Sequence, residues 1–114
     1  MKAIFFETTS FTATIGDYLT DDEYRRLQQD LLANPESGDL MPRTGGFRKL
    51  RWTDNRRRKG KRGGLRIIYY WLSSNGQFWM FAIYDKDELE NLTAEQEKLL
   101  KEAITLELQK RGAK

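Results

Sequence analysis

Apolar positions recur along this chain at two different periods, and the switches between them predict the order of its elements. Ile4, Phe5 and Phe6 form a short β-prone run within Lys2 to Glu7. Phe11, Ile15 and Leu19 then recur every four residues, which predicts a helix weakened by Gly16. Tyr24, Leu27, Leu31 and Leu32 make the apolar stripe of a second helix over 20–33. That helix opens on Thr20-Asp-Asp-Glu23, in which Thr20 caps the free amides and Glu23 reaches back to the Thr20 amide. The two aspartates suit the positive end of its dipole, and Asn34-Pro35 ends it.

Residues 35–46 hold two prolines and three glycines and read as a connection. Phe47 to Trp52 alternates as a strand does, with Lys49 and Arg51 on one face and Arg48 and Leu50 on the other. Leu65 to Leu72 and Phe78 to Tyr84 are nearly continuously apolar, so they belong at the sheet centre with both faces covered. Ser73-Ser-Asn-Gly76 joins them, and Asn-Gly is a strong hairpin turn. Thr93-Ala-Glu-Gln96 is a second capping box. It opens a helix carrying Leu99, Leu100, Ala103, Ile104, Leu106 and Leu108 toward Arg111. The order β-α-α-β-β-β-α predicts an α+β protein, with a small, mostly antiparallel sheet and helices packed on it. At 114 residues the chain reads as one domain, 1–114.

Composition then removes chemistry from consideration. There is no Cys and no His, so thiolates, disulfides, the commonest general base and the commonest metal ligand are all missing. The acidic clusters, Asp21-Asp22-Glu23 and Asp85, Asp87, Glu88 and Glu90, are explained by helix caps and flanks, so no metal site or cofactor is expected. No apolar run reaches membrane-spanning length, and the first residues are too polar for a signal peptide, so a cytoplasmic protein without a membrane partner is expected.

Charge points to a partner. From Arg43 to Arg66 the chain has eleven Lys/Arg against one acid, Asp54, a formal +10 in a protein whose total is +3. Everything outside that stretch is therefore net acidic, at −7. At the centre, residues 56–64 read Arg-Arg-Arg-Lys-Gly-Lys-Arg-Gly-Gly. A charge run is commonly just solvated surface or a localisation signal. Here the cations continue into both flanking strands, at Lys49, Arg51 and Arg66, and glycines let backbone amides approach a phosphate. A polyanion, RNA or DNA, is the expected partner. The glycine-rich stretch lacks the spacing and the following Ser/Thr of an NTPase phosphate loop. Most aromatic residues belong to the core. Trp52 and Tyr84, at strand ends beside charge, are the candidates for base stacking.

Three segments together carry a family resemblance: Gly-Gly-Phe-Arg-Lys-Leu-Arg-Trp at 45–52, Gly-Lys-Arg-Gly-Gly-Leu-Arg-Ile-Ile-Tyr-Tyr at 60–70, and Tyr-Asp-Lys-Asp-Glu at 84–88 followed by Asn-Leu-Thr93. They resemble the RelE superfamily of bacterial type II toxin–antitoxin modules, in its HigB-like branch, over nearly the whole chain. The resemblance implies a ribosome-dependent endoribonuclease (an mRNA interferase) that cleaves mRNA in the decoding site without metal and arrests translation. It also implies a cognate helix-turn-helix antitoxin, and operator DNA bound only through the toxin–antitoxin complex. Carried over, the basic pair of the family's second strand falls on Lys49 and Arg51, and the arginine at the scissile phosphate on Arg66. Lys59, Lys61 and Arg62 would hold mRNA or ribosomal RNA, Arg56, Arg57 and Arg58 ribosomal RNA, and Arg48 joins these RNA-binding cations. Some relatives carry an arginine and a C-terminal tyrosine after the last strand. This chain has Asp87 near the first position and no tyrosine after Tyr84, which leaves Lys86 and Tyr84 as stand-ins. Lys49 or Lys86 would move protons while Arg51 and Arg66 stabilise charge, since a lysine crowded by cations releases its proton more readily. The competing reading is a small RNA- or DNA-binding domain with no chemistry of its own.

Overall fold

A computed structural model describes residues 3–55, 64–74, 76–87 and 92–110. The glycine-rich loop with Arg56, Arg57, Arg58, Lys59, Lys61 and Arg62 lies outside the described residues, as do Asn75 of the expected hairpin turn and Glu88 and Glu90.

The elements are β1 (Ile4–Glu7), α1 (Thr9–Thr14), α2 (Asp21–Ala33), β2 (Asp39–Leu40), β3 (Phe47–Trp52), β4 (Leu65–Leu72), β5 (Gln77–Asp85) and α3 (Ala94–Lys110). They form one five-stranded sheet in the order β1-β5-β4-β3-β2. β1 runs parallel to β5 and every other pairing is antiparallel. This is the expected α+β architecture with two local differences. The first helix stops after six residues and tightens into a 3-10 turn over Ile15–Asp17, where glycine lowers helix propensity. The proline- and glycine-rich connection contributes a two-residue edge strand, β2, paired to β3. Both capping boxes form. Glu23 N donates to Thr20 Oγ1 at 3.2 Å and Thr20 N to Glu23 Oε1 at 2.8 Å; the Thr93–Gln96 pair repeats the pattern at 3.1 and 2.8 Å. No described helix is long and apolar enough to cross a membrane.

The sheet carries a core on each face. Leu65, Ile67 and Tyr69 of β4, with Phe78 and Met80 of β5, pack against Phe11, Leu27 and Leu31 of α1 and α2. Ile68 of β4 and Trp79 of β5, with Phe47 of β3, meet Leu100 and Ile104 of α3 on the other side. The continuous apolarity of β4 and β5 thus has its physical reason, because central strands covered on both faces need apolar side chains in both directions. One irregularity resets the facing of β5. Ile68 pairs Ala82 but the next residue, Tyr69, pairs Met80, so Phe81 is an extra residue in β5. Phe81 and Ala82 both face α3, and beyond them every β5 side chain is on the opposite face from the one plain alternation would give it. Thr8 supports this bulge. Its hydroxyl donates to Phe81 O at 2.9 Å while accepting from Phe11 N at 3.1 Å.

Candidate active site

The α3 face of the sheet gathers most of the expected catalytic residues. Arg51 lies directly opposite Arg66, and Arg66 directly opposite Tyr84, so the three form one row across β3, β4 and β5. Direct cross-strand neighbours have Cβ atoms about 5 Å apart. Lys49 is on the same face of β3, two residues or about 7 Å from Arg51. Two guanidiniums directly opposite one another repel and lower sheet stability. Such a break in local consistency is characteristic of functional sites.

Accessibility is graded along the row. Arg51 is exposed, Arg66 half-buried with one N–H 3.2 Å from Leu65 O, and Tyr84 buried at 8% exposure. The Tyr84 hydroxyl is buried and finds no hydrogen-bond partner among the described residues. Burial raises its pKa above the ordinary tyrosine value, and the Arg66 cation opposes that rise. At neutral pH this hydroxyl is protonated, a donor beside a fixed cation. Tyr84 is therefore not the stacking platform its strand-end position suggested, because its ring is packed into the α3 core with Ile68 and Leu100. The bulge at Phe81 is what brings it beside Arg66 at all.

Other candidates fall elsewhere. Lys86 is exposed in the turn after β5, where its backbone N–H donates to Gly64 O at 3.2 Å, at the end of the basic loop. Trp52 sits on the α1/α2 face, half-buried against that core and away from the row. Arg48 also points to that face, and its head is engaged. It donates to Gly38 O at 2.8 Å and to Glu36 Oε2 at 3.1 Å. These bonds pin the 36–38 segment to β3, so Arg48, expected among the RNA-binding cations, also has a structural role. Asp85, expected to be a helix flank, is fully buried, and its Oδ1 accepts from Asp87 N at 2.9 Å.

Two clefts border these elements. One of about 360 Å³, lined by Glu23, Arg26, Asp30, Trp52, Thr53 and Asn55, opens on the α1/α2 side, so its size does not place it near the row. The other, about 270 Å³, includes Lys49 and Asp39, which face one another across β3 and β2. Its walls are held by Arg43, whose Nε and an Nη lie 2.9 and 3.2 Å from the two Glu97 carboxylate oxygens. Arg43 adopts a left-handed backbone at φ 63°, unusual for a side-chain-bearing residue and held here by the pair with the buried Glu97. Neither Asp39 nor this tether was signalled by the sequence, because both belong to a segment that reads only as a connection.

No family model matches the sequence. Among solved structures, the chain is similar to that of an arginine-to-alanine double mutant of the E. coli toxin RelE in the free state. That similarity has a TM-score of 0.54 and 10% sequence identity, and it covers 87% of this chain and 96% of the other. The likeness establishes that this protein has a RelE-like fold.

Proposed function

We propose that this protein is the toxin of a type II toxin–antitoxin module, a HigB-like, ribosome-dependent endoribonuclease that cleaves mRNA and inhibits translation. The observation that carries the reading is the row Arg51–Arg66–Tyr84, with Lys49 on the same face, on a RelE-like fold. In metal-independent RNA cleavage the ribose 2′-hydroxyl attacks the adjacent phosphorus. Its proton leaves, charge builds on the phosphoryl oxygens, and the 5′-oxygen departs with a proton. Fixed cations aimed where that charge builds are commonly the largest catalytic contribution. Arg51 and Arg66 fill this role, permanently protonated and suited to phosphate geometry. Tyr84, a neutral hydroxyl whose pKa burial raises further, donates a hydrogen bond to a phosphoryl oxygen or supplies a proton. Lys49 or Lys86 moves the remaining proton. The 56–62 loop grips mRNA and ribosomal RNA by its charge. The same reading supplies the partners: the ribosome, mRNA, a helix-turn-helix antitoxin, and operator DNA through the antitoxin complex.

Induction of the isolated protein followed by mapping of mRNA 5′ ends tests this. Growth arrest with new ends inside translated frames is expected. Normal growth with no new ends would favour a binding domain without chemistry.

A further inference from the structure

We infer that the 270 Å³ pocket beside Lys49 is a nucleobase subsite, and that Asp39 reads the base next to the scissile phosphate. The inference rests on the nuclease reading above and adds a specificity determinant to it. Three observations meet here. The pocket lies beside the face that carries the cationic row, because Lys49 lines it and stands on the same strand face as Arg51. Lys49 stands one same-face step along β3 from Arg51, about 7 Å, within the reach of a nucleotide joined to a phosphate held at Arg51. Finally, the pocket's lining suits a base and not a second phosphate. Met41, Pro42 and Leu92 offer apolar surface for a flat ring, and the cations Arg43 and Lys49 are balanced there by Glu97 and Asp39, so the pocket has no excess positive charge to draw a second phosphate.

The two carboxylates are not equivalent. Glu97 is buried and engaged by Arg43 at both oxygens, so it holds the pocket walls together. Asp39 is exposed at the rim and, among the described residues, makes no ion pair to the Lys49 opposite it. A carboxylate only accepts hydrogen bonds. It therefore selects bases that present an amino group, adenine, cytosine or guanine, over uracil, whose ring N–H is flanked by two carbonyl oxygens that face the carboxylate unfavourably.

The test is the base frequency at positions flanking each cut, from 5′-end mapping with the full chain and two variants. Wild type is expected to disfavour uracil at one position beside the cut. Asp39→Ala should weaken that discrimination on the order of tenfold, the worth of a hydrogen bond to a charged group. Asp39→Asn keeps the volume and exchanges one acceptor for a donor, so it should shift the preference toward bases presenting a carbonyl. Unfolding midpoints matching wild type show that both variants fold, and Asp39→Asn carries the test if Asp39→Ala does not. Wild-type base frequencies retained in a folded Asp39→Asn would overturn the subsite while leaving the nuclease reading intact. A wild type that produces no cuts would sink both.

Discussion

The two faces of the sheet use the same residue types for opposite ends. Tyr69 and Tyr84 stand on neighbouring central strands, both buried. On the α1/α2 face, the Tyr69 hydroxyl donates to Pro35 O at 2.7 Å and accepts from Gly38 N at 3.0 Å. On the α3 face, the Tyr84 hydroxyl has no partner among the described residues and sits beside Arg66. The arginines of β3 divide in the same way. Arg48 is bound by Glu36 and Gly38, whereas Arg51 is exposed opposite another guanidinium. One face satisfies its polar groups and is built for stability. The other sets Arg51 against a like charge and, among the described residues, leaves the Tyr84 hydroxyl without a hydrogen-bond partner. Residue type alone therefore does not separate Tyr69 from Tyr84 or Arg48 from Arg51; strand register does.

Substitutions can break this contrast. The largest effect is expected from Arg66→Ala, which should lower cleavage on programmed ribosomes by about 10²–10³-fold, the cost of losing a charge-stabilising donor. Arg51→Ala should act in the same direction. Both should keep their unfolding free energy within about 0.5 kcal/mol of wild type, since removing one of two opposed cations relieves repulsion. Full cleavage by a folded Arg66→Ala protein would remove the row from the mechanism.

The tyrosines give the next test. Tyr69→Phe leaves Gly38 N and Pro35 O without their partner and should cost about 1–3 kcal/mol in denaturant unfolding. Tyr84→Phe removes a hydroxyl that has none among the described residues, so its stability should equal or exceed wild type while single-turnover cleavage falls. Equal stability losses in the two variants would erase the distinction between the faces.

Alkaline titration gives a smaller effect. Burial raises the pKa of both tyrosines above the ordinary value of 10. The folded state then holds these protons where the unfolded chain has released them. Their contribution is complete below pH 10 and is lost as pH rises through the folded-state values, by at most about 1.4 kcal/mol per pH unit for each group. Unfolding free energy measured from pH 9 to 11.5 should turn down above 10, less steeply in Tyr69→Phe. The smallest change is expected from Arg48→Ala. Its partner Glu36 is largely exposed, so stability should drop by about 1 kcal/mol, with cleavage per folded molecule unchanged. A cleavage defect there would show that Arg48 contacts RNA as well as bracing the 36–38 segment.

Much of this division is legible in the sequence. Period-two alternation through Phe47–Trp52 separates Lys49 and Arg51 from Arg48 without any coordinates. The two capping boxes mark helix starts because their hydrogen bonds are local, spanning three residues. The apolar content of β4 and β5 likewise announces central strands. What alternation could not supply is the face of Tyr84. Counted from Phe78, residue 84 belongs with Phe78 and Met80 on the α1/α2 side. The extra residue at Phe81, whose carbonyl is satisfied by Thr8 from far along the chain, turns it to Arg66 instead.

By itself, then, the sequence determined the secondary elements apart from β2 and the 3-10 turn after α1, the α+β class and the concentration of cations between Arg43 and Arg66, all of which depend on neighbours within a few positions. Tertiary structure alone decided which cations oppose one another, that Arg48 is bound while Arg51 is exposed, that Tyr84 joins the row, and that Asp39 meets Lys49. Those outcomes depend on strand register and on a bulge, set by contacts between residues distant in the chain, and a slip of one position reverses every face.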